Sequence, residues 1–181
     1  MLGFAATRDL ALALALDALG SSQHPLRGRL REHAFRGAVA AQTIASCSRG
    51  AVRGGDAFIA ALMRDLGRVL LLEVYGDPYA ALEARETDLL ASERQRYGVD
   101  HAELGAACLL RWGLPEATCA AISAHHDPSG AGPLGAVVSL ADAVEAGGEA
   151  SEPHSLDLKG RWLELAQRAM ADSGGALLLA A

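Results

Sequence analysis

Phe58, Leu62, Leu66, Val69 and Leu70 fall on one face at helical spacing and predict an amphipathic helix from about Asp56 to Val74. Gly76-Asp77-Pro78 ends it. Upstream, the Leu/Ala run Leu10 to Leu16 alternates with the period of a strand. Its composition favours a helix, taken here as about Thr7 to Leu19 and stopped by Gly20-Ser21-Ser22. A second helix is expected from about Leu26 to Ser48, after Pro25.

Shorter helices follow near Tyr79 to Arg85 and Thr87 to Tyr97, the latter closed by Gly98. Asp100 and Glu103 stand at capping-box spacing and open a helix to Trp112. Gly113 stops that helix and Pro115 starts the next, which carries Cys119 and Ile122 up to His125-His126. The loop Asp127 to Gly132 leads into a helix from about Pro133 to Ala146. A linker from Gly147 to Pro153 precedes a last helix over about Leu156 to Asp172, with a frayed tail after Gly174-Gly175.

Hydrophobic residues make up 51% of the 181 but aromatics only 4%, so Leu, Ala and Val must fill the interior. No alternating run rich in β-branched residues predicts a sheet. The expected fold is an all-α helical bundle, with residues 1–148 as its body and 149–181 as linker and additional C-terminal helix.

The net charge of −6 makes nucleic acid a poor partner, because the chain repels a phosphate backbone overall. Lys159 is the only lysine, and the scattered arginines read as solvated helix faces. Cys47, Cys108 and Cys119 lack metal or redox spacing, which fits reduced thiols in a cytoplasmic protein. Leu10 to Leu16 is far shorter than the ~20 residues needed to cross a bilayer, so no membrane association is expected.

Candidate chemistry lies in acids and imidazoles on apolar faces. Asp65 lies beside Leu62, Leu66 and Val69, and its burial requires a partner, either Arg68 at i+3 or a metal ion. His101 shares a face with Leu104, Gly105, Cys108, Leu109 and Trp112, in a first turn whose dipole disfavours imidazolium. His125 and His126 end a helix, where they cap carbonyls or ligate metal. Asp142 borders Val138 and Ala141. Inward acids and imidazoles on separate helices are how a bundle holds divalent metals, and a pair of such ions would clamp a phosphate.

Taken together, these segments resemble the HD superfamily of metal-dependent phosphohydrolases, most closely its HDOD branch of bacterial signalling modules. Met63-Arg64-Asp65-Leu66-Gly67-Arg68 is similar to the family's His-Asp segment, with Arg64 where the His belongs. His33 to Val39 resembles the helix bearing the family's first His, with Gly37 in that place. Asp100 to Ala106, Arg111 to Pro115, His125 to Pro128 and Leu140-Ala141-Asp142 are close to HDOD forms. The likeness covers about residues 1–148. HDOD modules usually carry further helices before the segment that Leu2-Gly3 resembles, so the chain is expected to be a fragment or a shortened form.

Two weaker matches fail on context. Gly130 to Gly135 fits G-x-G-x-x-G, but a helix precedes it, not a strand. The segment after His125 lacks the tyrosine of HD-GYP phosphodiesterases, which argues against cyclic di-GMP hydrolysis.

The resemblance implies a non-catalytic signal-transduction module that binds a partner protein or a small ligand, with homodimer formation as an option. Asp65, His101, His125, His126 and Asp142 are then a vestigial metal set, with no cofactor expected. The alternative is a phosphohydrolase with that reduced set holding Mn, Fe, Zn or Mg. Asp65 would be its bridging or base residue, and Arg64 or Arg68 its grip on phosphate. Gly37 supplies no ligand atom, and an inward Arg64 would compete with a cation and pair with Asp65. His33, one turn before Gly37 on the same face, sits ~5.4 Å away along the helix, too far to replace the lost ligand without rearrangement.

Overall fold

The computed structural model describes residues 24–127, 129, 132–147, 156–158 and 160–178, with side chains as far as residue 173. The helix expected over Thr7 to Leu19 lies outside them, as does most of the Gly147 to Pro153 linker. Among the described residues the chain is all-α. The helices are α1 (Pro25–Cys47), α2 (Gly54–Met63), α3 (Leu66–Tyr75), α4 (Asp77–Glu83), α5 (Leu89–Tyr97), α6 (His101–Arg111), α7 (Glu116–Ser123), α8 (Gly132–Glu145) and α9 (Trp162–Leu178). No helix among the described residues is long and apolar enough to cross a membrane.

The long α1 is the spine, packed by α2, α8 and α9. Its inner stripe is small: Ala34, Ala38, Ala41 and Ala45, with Ile44. Ala57, Ala60 and Ala61 of α2 meet it, and residues this small let helix backbones approach closely, which suits a core short of aromatics. Trp162, Ala166 and Met170, spaced four apart on α9, are buried in the same core, so the last helix is docked. A smaller cluster of Leu26, Leu30, Leu71, Leu72 and Tyr79 joins the start of α1 to α3 and α4.

Three boundaries differ from the sequence reading. The expected helix Asp56 to Val74 is two helices, broken at Arg64-Asp65. Asp65 leaves helical geometry (φ −97°, ψ 13°) and its carbonyl accepts from Arg68 N at 3.0 Å, so it caps α3. Neighbours in a continuous helix point ~100° apart, and the break lets both side chains enter one pocket. The last helix starts at Trp162, not Leu156, because Gly160 adopts φ +64° and Asp157 is tied to Arg49 at 2.8 Å. Its backbone then stays helical through Gly174-Gly175 to Leu178, where fraying was expected. Two glycines cost only ~1 kcal/mol each relative to alanine.

Trp112 is a further difference: it lies past the end of α6 and is half exposed, so it is not on the inward face of His101. Where α3 crosses α6, Gly67 permits the contact. A Cβ there would lie 2.0 Å from the His101 carbonyl oxygen. This approach brings His101 over Asp65.

Candidate functional site

Arg64 is 0% exposed, the opposite of the solvated arginine the charge pattern suggests. Its Nε donates to Asp142 Oδ1 at 2.8 Å and lies 3.3 Å from Asp65 Oδ2. Nη1 donates to the Ala61 carbonyl at 2.8 Å, and Nη2 lies 2.6 Å from His33 Nε2. A guanidinium taken out of water is tolerable only when paired this fully. Space for it comes from Gly37, where a Cβ would sit 2.2 Å from Nη1.

The acids respond to this cation. Burial raises the Asp65 pKa, but Arg64 and then Arg68 outweigh it and hold the carboxyl well below its usual range. Burial acts on Asp142 likewise, and the His33 hydrogen bond and Arg64 overcome it strongly. Arg68 places Nη1 3.3 Å from Asp65 Oδ1 and gives Nη2 to Glu83. Asp65 therefore has both arginines, not Arg68 alone.

His33 is pulled two ways. Burial lowers its pKa, and the hydrogen bonds to Asp142 and Glu145 more than compensate, raising it to about 9. Against a charge stands the Arg64 contact at 2.6 Å, since a guanidinium N–H can donate only to a bare nitrogen. Nδ1–H donates to Glu145, while Nε2 faces Arg64 Nη2 at 2.6 Å, Asp142 Oδ1 at 3.3 Å and Asp65 Oδ2 at 3.5 Å.

Across Asp65 lies a second group. The His101 Nδ1–H donates to Glu93 Oε2 at 2.7 Å, and the same oxygen accepts the His101 backbone N–H at 2.8 Å. Tyr79 OH donates to Glu93 Oε1 at 2.7 Å. Burial disfavours the Glu93 charge, but the His101 hydrogen bond wins and lowers its pKa. His101 Nε2 is left facing His126 Nε2 at 2.9 Å and Asp65 Oδ1 at 3.8 Å. His125 donates Nδ1–H to the Ile122 carbonyl at 2.6 Å, and its buried Nε2 has no partner. Burial pushes His125 down to about 4. It is thus a neutral ring whose Nδ1–H caps that carbonyl. His126 is lowered too, by burial and then by His101.

All five candidate ligands therefore converge, with Asp65 at the junction. They divide into His101, His125 and His126 on one side, and Asp65 and Asp142 with His33 on the other; within each trio the donor atoms lie within 4.8 Å of one another. The second trio encloses the Arg64 guanidinium. The first offers imidazoles and an orphaned buried nitrogen, which fits a borderline divalent metal. Sequence reasoning left four residues out. His33, judged too far away one turn before Gly37, in fact brings Nε2 to 3.5 Å from Asp65 and 3.3 Å from Asp142, whereas Glu93, Tyr79 and Glu145 carry no motif. Arg64 and Arg68, the phosphate candidates, are already engaged by carboxylates.

The family model described as the HDOD domain matches residues 1–128. No curated protein matches the chain significantly. Among solved structures, a protein of Marinobacter aquaeolei VT8 named for signal transduction superposes with a TM-score of 0.76 at 24% identity, covering 95% of this chain. This chain spans only 42% of that protein. A Shewanella amazonensis SB2B protein named as a phosphohydrolase gives 0.74 at 20% identity, over 96% of this chain and 70% of its own. The MmoQ response regulator of Methylococcus capsulatus gives 0.67 at 26% identity, over 94% and 71%.

Proposed function

Because the chain belongs to the HDOD domain family, we propose that it is a regulatory module of bacterial signal transduction that does not hydrolyse phosphate esters. One observation carries this reading: the Arg64 guanidinium lies between Asp65 and Asp142. Two-ion hydrolysis needs cations that stabilise both the attacking and the leaving oxygens. Here one positive charge is covalently part of the chain, saturated by carboxylates, and unable to generate hydroxide. Asp65, the base of any hydrolytic scheme, is held as a carboxylate by two arginines. What remains is a helical bundle whose surface binds a cytoplasmic signalling protein or a small ligand; two structural neighbours are named for signal transduction and as a response regulator.

The competing reading, a phosphohydrolase with a reduced ligand set, draws its support from the three imidazoles. A screen against phosphodiesters and nucleotides with added manganese, iron or zinc decides between them. We expect no turnover above that of buffer with metal. Turnover that disappears in Asp65→Ala would establish the enzyme.

A further inference from the structure

We propose that the outer face of the α6–α7 hairpin is an interface with a second copy of this chain. Leu110 of each copy seats in the other's groove, and Arg111 of each meets the other's Glu116. The contact lies apart from the buried Arg64 site and stands whether or not that reading holds.

Gly113, at φ +87°, turns the chain from α6 back along α7, and the two helices pack side by side. Ala106, Ala107 and Leu110 of α6 and Cys119 and Ala120 of α7 line a groove of about 350 Å3 between them. The alanines keep its floor low, whereas Leu110 stands 49% exposed on one wall. Hole and knob therefore lie on the same patch. A two-fold contact requires this, because both copies bring the same surface to it.

Charge selects the occupant. Arg111 and Glu116 stand at the turn end of the hairpin, both exposed, and neither makes an ion pair among the described residues. A basic partner helix would repel Arg111, and an acidic one would repel Glu116. A second copy supplies both counter-charges. With the two-fold axis along the helices, α6 of one copy lies over α7 of the other, turn end to turn end. Leu110 then comes level with the other copy's Ala120, and Arg111 with its Glu116. Small residues on both sides let the helices approach closely. α6 is 11 residues long, about 16 Å, so the face is smaller than a standard interface and suits a weak, micromolar dimer.

Sedimentation velocity of the full chain from micromolar to millimolar concentration provides the test. The expected result is a reversible monomer–dimer equilibrium. Ala120→Arg places a charged side chain in the groove at an exposed position. It should raise the dissociation constant about a hundredfold and leave the helical circular dichroism unchanged. Arg111→Glu and Glu116→Arg should each raise it about tenfold through like-charge contact. The double variant should return to the wild-type value, because the pair is only reversed.

A monomer at every concentration would overturn the interface, as would a dimer equally stable in Ala120→Arg. Losses that add in the double variant would overturn the pairing of Arg111 with Glu116, and with it the two-fold arrangement.

Discussion

Gly37 and Arg64 form one structural unit: a Cβ on residue 37 would lie 2.2 Å from Arg64 Nη1. The guanidinium cannot step aside without leaving Asp142, 2.8 Å from Nε, and the Ala61 carbonyl. Gly37→Ala is therefore expected to destabilise the fold by ~1–3 kcal/mol. Arg64→Met should cost ~3–5 kcal/mol, since Asp65 and Asp142 lose their shared cation. In the Arg64→Met background Gly37→Ala should cost nothing, or help by ~1 kcal/mol because alanine is the better helix former. Urea unfolding of the four proteins measures the coupling, and additive costs would show that the two positions are independent.

Gly67 faces backbone, which cannot rotate away. A Cβ there would lie 2.0 Å from the His101 carbonyl oxygen, and Gly105 across the crossing has its own Cβ position 3.0 Å from Gly67 N. Gly67→Ala should push α3 off α6 and cost more than Gly37→Ala, at ~3 kcal/mol or above. It should also separate His101 from Asp65. Thermal denaturation of the two variants side by side checks the order.

Acid should unfold the protein in two stages. His125 titrates at about 4 in the fold and at 6.5 when free, so the unfolded chain binds more protons between those values. Stability then falls as pH drops through that window, by up to ~3 kcal/mol from this ring. Asp65 and Asp142 have folded pKa values below their unfolded ones, so their contribution is complete above about pH 4 and is lost below it. Unfolding free energy measured from pH 6 to pH 3, below the window in which His33 opposes the trend, should fall throughout, and His125→Gln should flatten the upper part.

Much of the architecture was legible because helix ends follow local chemistry. Asp100 caps α6 through Glu103 N at 2.8 Å, as its spacing implied, although Glu103 turns to Arg94 and does not complete the box. The break at Arg64-Asp65 was not legible, since the apolar stripe runs through it without interruption. The candidate ligands were visible as acids and imidazoles on apolar faces, and all five converge. Their division was not. It depends on a guanidinium reaching across from α2 to Asp142, 78 residues away in sequence, into space that only a missing side chain at residue 37 provides. Glu93 was invisible for a related reason: α5 is polar on most of its surface, and one buried carboxylate leaves no periodic trace.

Arg64 stands between Asp65 and Asp142, where a cation would otherwise bridge the two carboxylates. Crystals grown with millimolar Mn2+ or Zn2+ test this most directly. The predicted density is a guanidinium between Asp65 and Asp142, with Nε 2.8 Å from Asp142 Oδ1, whichever metal is supplied. An ion bridging those two carboxylates, with Arg64 turned away, would contradict it.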